Sequence, residues 1–189
     1  MDATYFYNRY SDLIVSLGGS LARLGSFKTD NLANSRARGA EFSARFRPSA
    51  AVSVIGNYTY LDTAILSLNG TSSVAPQFYR VGQQLVRRPR NSGSLASSYI
   101  HKRISANVTA YFRGEALDIE PNFGASAGFF RNPGFAAVGV NLNYDLGRGV
   151  TIYGNLRNAL NRHYEEIYGY PSPRLNFVAG MKWRISREP

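Results

Sequence analysis

Ile104-Ser105-Ala106-Asn107-Val108-Thr109-Ala110-Tyr111-Phe112-Arg113 alternates without a break. Successive side chains of an extended strand point to opposite faces, so Ile104, Ala106, Val108, Ala110 and Phe112 share one face and Ser105, Asn107, Thr109, Tyr111 and Arg113 the other. A helix would scatter both sets around its axis. Three later stretches keep the rule. Ala136, Val138, Val140, Leu142, Tyr144 and Leu146 oppose Ala137, Gly139, Asn141, Asn143 and Asp145; Val150, Ile152, Gly154 and Leu156 oppose Thr151, Tyr153, Asn155 and Arg157. Leu175, Phe177, Ala179, Met181, Trp183 and Ile185 oppose Asn176, Val178, Gly180, Lys182 and Arg184.

Toward the N-terminus the pattern is less pure. Ala40, Phe42, Ala44 and Phe46 oppose Glu41, Ser43, Arg45 and Arg47; Val52, Val54, Tyr58 and Tyr60 oppose Ser53, Asn57 and Thr59, with Ile55 out of phase. Ser92 to Ile100 reads as a weak, serine-rich strand. Ala3 to Val15 reads as a long one whose facing is unassigned, because Arg9 and Asp12 conflict. The expected fold is all-β, with about eight antiparallel strands.

Composition agrees. The 189 residues fit one domain, spanning 1–189. Gly (18), Tyr (13) and Phe (11) are abundant and mean hydropathy is −0.26, a balance that suits aromatic strands rather than amphipathic helices. No cysteine is present, which excludes disulfides, thiolate metal sites and thiol nucleophiles. The formal charge of +10 invites nucleic acid or an anionic membrane surface. A nucleic-acid module needs exposed aromatics interleaved with Lys or Arg, whereas here the aromatics sit with Val, Leu and Ala, so no nucleic acid is expected. No run of 18 apolar residues occurs, which argues against a membrane helix, and the N-terminus lacks the basic and apolar regions of a signal peptide.

Loop lengths choose between a soluble sandwich and a membrane barrel. Arg47 to Ser49, Ile100 to Arg103 and Leu146 to Gly149 are tight turns; Ser16 to Asn34, Ala64 to Arg90, Gly114 to Pro133 and Asn158 to Pro173 read as long loops. Short turns at one end and long loops at the other, joining strands of about ten residues, match an outer-membrane barrel. A sandwich has no reason to sort its loops in this way. Tyr58, Tyr60, Phe112, Tyr144 and Trp183 lie toward strand ends on the apolar face, where interfacial aromatic girdles belong. The expected location is the cell outer membrane, with lipid and lipopolysaccharide as partners.

The passage Asn155-Leu156-Arg157-Asn158-Ala159-Leu160-Asn161-Arg162-His163-Tyr164-Glu165-Glu166-Ile167-Tyr168-Gly169-Tyr170-Pro171-Ser172-Pro173-Arg174 resembles the segment before the final strand of TonB-dependent outer-membrane receptors. Asn34 to Glu41, Asn57 to Asp62 and Arg88 to Ser92 fall in that superfamily's order. The resemblance implies the last part of a 22-stranded barrel closed by a plug, importing a scarce nutrient such as a ferric siderophore or cobalamin. The chain has no plug and no segment for TonB to grip, so the TonB complex would act only through a plug domain outside it, and active import by these residues alone is not expected. The family ends on an aromatic residue, whereas six residues follow Trp183. The alternative is a self-contained eight-stranded barrel with a binding or anchoring role, its first and last strands paired.

No enzyme signature appears. Ser, His and Asp are present without a G-x-S-x-G elbow. His101 and His163 have no second ligand at metal spacing, and Asp118, Glu120, Glu165 and Glu166 read as solvated loop charges, so neither a metal nor a cofactor is expected. Lumen-facing Arg45, Arg113 and Arg157, with Glu41, could steer an anionic cargo or pair across strands. The cluster Arg80, Arg87, Arg88 and Arg90, where a loop re-enters a strand, suits lipopolysaccharide phosphate or an anionic ligand, with generic loop charge as the alternative reading. Arg45, Arg113, Arg157, Arg87, Arg88 and Tyr168 are the candidate contacts for a small-molecule ligand.

Overall fold

The computed structural model describes residues 1–20, 23–68, 78–120 and 124–185. The described residues form twelve strands: β1 (Asp2–Ser20), β2 (Arg23–Phe46), β3 (Val52–Ser67), β4 (Asn91–His101), β5 (Ile104–Arg113), β6 (Ala116–Glu120), β7 (Gly124–Asn132), β8 (Phe135–Gly147), β9 (Val150–Arg157), β10 (Glu165–Ile167), β11 (Tyr170–Pro171) and β12 (Asn176–Trp183). Eight of them make one sheet in the order β1-β2-β3-β4-β5-β8-β9-β12, each antiparallel to its neighbours. The short hairpins β6–β7 and β10–β11 are excursions at the long-loop end. The sheet stays open. β1 and β12 pair on one side only, so the ring required of a self-contained eight-stranded barrel is not closed.

Register carries the apolar face across the strands. Phe42, Tyr58, Gly93, Phe112 and Ala136 form one row, and Phe46, Val54, Ser97, Val108, Val140, Leu156 and Phe177 another. The rings of Phe42, Tyr58 and Phe112 stack at 6.4 Å between successive centroids. Among the described residues nothing covers this face: Phe42 is 50% exposed, Leu142 52% and Phe177 64%. A soluble sandwich would bury that face beneath a second sheet. A single sheet with its apolar face bare and its polar face lined by hydrogen-bonded Asn and Ser has the polarity of a membrane barrel wall.

The apolar core lies elsewhere, under the loops. Val15, Ile65, Tyr79 and Ala125 are buried together, with Leu13, Leu68, Phe78, Leu85 and Phe129 against them. Tyr79 meets Phe129 edge to face at 5.3 Å, and burial pushes its phenol up to about 12. The segment before β4 folds back over the polar face of β3: Leu85 N–H donates to Thr63 Oγ1, Ile65 N–H to the Gln83 carbonyl, and Gly82 N–H to the Ile65 carbonyl.

All four expected loops are partly strand. Ala64 to Ser67 completes β3, and residues 69–77 of the Ala64 to Arg90 loop lie outside the described residues. Ser16 to Asn34 continues the ladder, β1 running to Ser20 and β2 starting at Arg23. The first proline is Pro48, so every residue before it keeps its N–H donor and pairing can continue past the apolar rows. Gly114 to Pro133 contains β6 and β7, and Asn158 to Pro173 contains β10 and β11. Ile55 faces the polar side by register, opposite Arg45 and Ala96. Asp12 adopts a φ of 55°, which interrupts alternation in β1 and explains the conflict with Arg9.

Two of the three tight turns, β4–β5 and β8–β9, have left-handed residues. Gly147, Arg148 and Gly149 have φ of 83°, 52° and 78°, and Lys102 has φ 50°. Only glycine adopts this region without strain. Lys102→Gly is therefore expected to stabilise the β4–β5 hairpin by about 0.5–1 kcal/mol. A rise in the urea midpoint of the micelle-held protein checks it; a fall would mean that the lysine side chain holds the turn.

Candidate functional site

The polar face carries two tiers. The lower is a trough of about 420 Å³ lined by Asn107, Thr109, Asn141, Asn155, Arg157 and Asn176, among others. Strands β5, β8, β9 and β12 bring these residues side by side: Asn107 stands opposite Asn141, Asn141 opposite Asn155, and Arg157 opposite Asn176. Asn141 donates to Asn155 Oδ1, and Asn143 Nδ2 donates to Asn141 Oδ1 at 2.7 Å. The amides orient one another, and the Arg157 guanidinium is exposed beside them. Arg45 is likewise exposed on this face, opposite Ile55. Among the described residues no ion pair involves Arg45 or Arg157, so the expected cross-strand charge pairing is absent and both cations face the open side of the sheet.

The upper tier lies where loops return over the sheet. Arg113 is 8% exposed; its Nη2 donates to the Glu165 carbonyl at 2.8 Å, and its guanidinium lies 5.0 Å from the Phe135 ring centre. Tyr164 stacks on Phe135 at 4.0 Å, and Tyr168 on Phe130 at 4.4 Å with rings nearly parallel. A cavity of about 280 Å³ opens here, lined by Arg131, Asn132, Pro133, Gly134, His163, Tyr164, Glu165 and Tyr168. Arg113 is thus fixed by a backbone carbonyl and a ring. Tyr168 presents an aromatic plane at the cavity wall.

Asp118 ties three loops together. It is 1% exposed; Arg87 Nε donates to Oδ1 at 2.8 Å and Tyr168 N–H to Oδ2 at 2.9 Å. Ile119 N–H and Asn132 Nδ2 complete the set. Burial alone would raise this carboxyl, but the donated hydrogen bonds from Tyr168, Arg87, Ile119 and Asn132 outweigh it and hold the group below the usual carboxylate range. Arg87 is committed to this contact, while Arg88 is exposed and donates to the Arg87 carbonyl at 3.3 Å. The Arg80–Arg90 cluster is therefore divided between a buried clamp and exposed cations. Asp118, read from the sequence as a solvated charge, is buried because three separate loops supply its donors. Among the described residues no group of three or more His, Asp and Glu gathers as metal ligands.

The motif before β12 has a local cause. Asn158 and Asn161 adopt φ of 48° and 50°, a region that asparagine tolerates. Asn158 is buried; its Nδ2 donates to the Arg162 and Pro173 carbonyls at 2.8 and 3.1 Å, and its Oδ1 accepts from Arg162 N–H at 3.0 Å. Asn161 Oδ1 accepts from Arg174 Nε and Leu175 N–H. Together they set the chain's path from β9 into β12. Asn158→Ala is expected to cost about 2–3 kcal/mol through lost hydrogen bonds and left-handed strain, read as faster proteolysis within residues 158–175. An unchanged cleavage rate counts against this role.

Comparison with known proteins agrees with the geometry. A family model described as TonB dependent receptor-like, beta-barrel, matches residues 1–159. The siderophore receptor PiuA from Acinetobacter baumannii superposes with a TM-score of 0.71 at 14% identity, over 96% of this chain and 25% of that one. The ferric-catecholate import receptor Fiu from E. coli K12, in its closed form, gives 0.66 at 19% identity over 96% and 24%. The ferripyoverdine receptor of the Pseudomonas aeruginosa outer membrane, bound to ferripyoverdine, gives 0.66 at 14% over 96% and 24%. No curated protein matches the sequence significantly. The chain spans about a quarter of the length of these receptors. With the open antiparallel sheet, its bare apolar face and the loop-capped polar face, the match over residues 1–159 places the chain in the TonB-dependent receptor β-barrel family.

Proposed function

We propose that these strands form part of the wall of an outer-membrane receptor for TonB-dependent uptake of a scarce nutrient, a ferric siderophore or comparable chelate, with the polar face lining the path of the ligand. The observation that carries this reading is the lower trough, where Arg157 stands unpaired beside an oriented row of asparagines. Amides and an unpaired guanidinium can exchange hydrogen bonds with an oxygen-rich anionic chelate without holding it tightly. Arg45 extends the same positive field, and Arg88 adds to it at the loop end. Arg113 acts by positioning Phe135 and Tyr164; Tyr168 walls the upper cavity, and Arg87 acts through Asp118, which holds the Tyr168 backbone. The domain is a single stretch of barrel, 1–189, and the open edges at β1 and β12 each need a partner strand in hydrocarbon. Lipid of the outer membrane contacts the apolar face; TonB acts only through a plug outside these strands.

The test is charge reversal inside the full receptor barrel that carries these strands. Arg45→Glu with Arg157→Glu is expected to lower uptake of a radiolabelled ferric siderophore at limiting concentration at least tenfold, with the amount of receptor in the membrane unchanged. Uptake equal to that of the parent would overturn the assignment of this face to the ligand path. The 189 residues alone are not expected to restore ligand-dependent growth to a receptor-deletion strain.

A further inference from the structure

Charge on the outward face of the sheet is confined to one sector. Along β1, β2 and β3 the outward rows toward the long-loop end run from Tyr5, Ala40 and Tyr60, through Tyr7, Arg38 and Asp62, to Arg9, Arg36 and Ala64. Each row rises about 7 Å above the last, since two residues of a strand span that distance. Tyr5 and Tyr60 are exposed at the end of the bare apolar face, the place of an interfacial girdle. The arginines therefore stand one and two rows beyond the edge of the hydrocarbon, on the outside of the wall. The ligand path is on the other side.

Their charges are unbalanced. Asp62 Oδ2 accepts from Arg38 Nε at 2.9 Å and from Arg36 Nη2 at 3.2 Å, so one carboxylate serves two guanidinium groups. Arg9 lies directly across the strand pair from Arg36, and like charges so placed repel. No ion pair among the described residues involves Arg9. Arg36 Nε is buried without a hydrogen-bond partner, while the Arg38 side chain is 44% exposed. Three arginines against one carboxylate leave a net +2 that an anion would relieve, and the tyrosines below fix the anion's depth at the headgroup level.

We propose that Arg9, Arg36 and Arg38 form a docking site for the phosphate groups of a phosphorylated glycolipid of the surrounding outer leaflet. Guanidinium groups bind phosphate oxygens in pairs, and a site bordered by hydrocarbon on one side and water on the other selects a phosphate that carries acyl chains. Phe42 and Tyr58, on the outward rows below, then contact those chains. The proposal rests on the outer-membrane reading, because only a membrane-inserted sheet meets a lipid at this height.

The probe is bisphosphorylated lipid A, added to the full receptor barrel that carries these strands, held in neutral detergent micelles, with bound lipid counted by native mass spectrometry. Folding into micelles is scored separately by heat-dependent gel migration, so failure of the membrane reading shows there and not in lipid counting. Arg9→Gln with Arg36→Gln and Arg38→Gln is expected to lower retention of lipid A at least tenfold, while Arg148→Gln, in the β8–β9 turn at the other end of the sheet, leaves it unchanged. Asp62→Asn, which frees both guanidinium groups, is expected to raise retention several-fold. Equal retention of enzymatically dephosphorylated lipid A, displacement by equimolar inorganic phosphate, or no gain with Asp62→Asn would each overturn the proposal.

Discussion

Gly39→Val, placed in the full receptor barrel that carries these strands, is expected to leave most of the protein unfolded when it is refolded into micelles, the largest loss we anticipate from a single substitution. Gly39 lies in β2 opposite Phe6 of β1 and Leu61 of β3. A Cβ there would overlap the backbone carbonyl oxygen of Tyr60, and the Phe6 ring would be 2.9 Å from it. A ring can turn aside; a carbonyl in a paired strand cannot, so β2 and β3 would have to separate. Overpacking in a yielding core costs about 1–3 kcal/mol, and an unyielding backbone places this change above that range. Gly93→Val should follow, because its Cβ would fall 2.6 Å from both the Asn57 carbonyl oxygen and the Phe112 ring. Gly56→Ala is the control: its nearest neighbour is Leu95 Cδ1 at 3.6 Å, ordinary contact. The folded fraction, read as the heat-dependent shift in gel migration, should fall sharply for the first two and stay level for the third. Comparable folding of all three would show that the strands have more freedom than the close approaches allow.

These glycines show a logic that alternation by itself does not contain. Phe112 lies across the strand pair from Gly93, Phe6 from Gly39 and Tyr153 from Gly180, each ring occupying the space its partner leaves. Such aromatic and glycine pairs fix register as firmly as the alternation fixes facing. From the sequence, Gly93 inside a serine-rich run reads as a weakness. Opposite Phe112 it is what lets the ring lie flat against the sheet.

Facing was legible where every second residue is apolar, as in β5, β8, β9 and β12, because period two has no other reading. It failed at Asp12 and Ile55, where a left-handed residue and a single isoleucine on a polar face break the count. Strand ends were legible where the apolar alternation stops and not where pairing outlasts it. Ser16 to Asn34 lacks proline, and its glycines and serines resemble a loop while the backbone of 16–20 and 23–34 keeps its ladder. The upper tier was the least legible part. Arg87, Asp118 and Tyr168 are separated by 31 and 50 residues, and no local pattern announces that they meet. The lower trough was half legible: alternation placed Asn107, Asn141, Asn155 and Arg157 on one face, and only strand order made them neighbours.

Asp118→Ala is expected to release three loops together. The carboxylate joins Arg87, before β4, to Asn132 at the end of β7 and Tyr168 between β10 and β11, and its removal strips a partner from each. Arg87 can turn to water, since its side chain is 36% exposed, but the Ile119 N–H, beside a residue 5% exposed, cannot. Breaking a buried, hydrogen-bonded ion pair costs about 3–5 kcal/mol, and the exposure of Arg87 places this one at the lower end. The expected readout is amide exchange at Ile119 and Tyr168 accelerated by about two orders of magnitude, with the β5, β8 and β9 ladders unaffected. Acid should act in the same way. The Asp118 carboxyl is held below its ordinary value of 3.8, so its stabilisation is fully present above that value and is lost as pH falls through the lower folded value. Parent protein should therefore lose protection at these amides below about pH 4, as the native carboxylate takes up its proton. Asp118→Asn, which does not titrate, should show fast exchange at every pH. Slow, pH-independent exchange in both proteins would mean that the loops are held by the apolar contacts around Tyr79 and Phe129, and that the carboxylate merely fills the space between them.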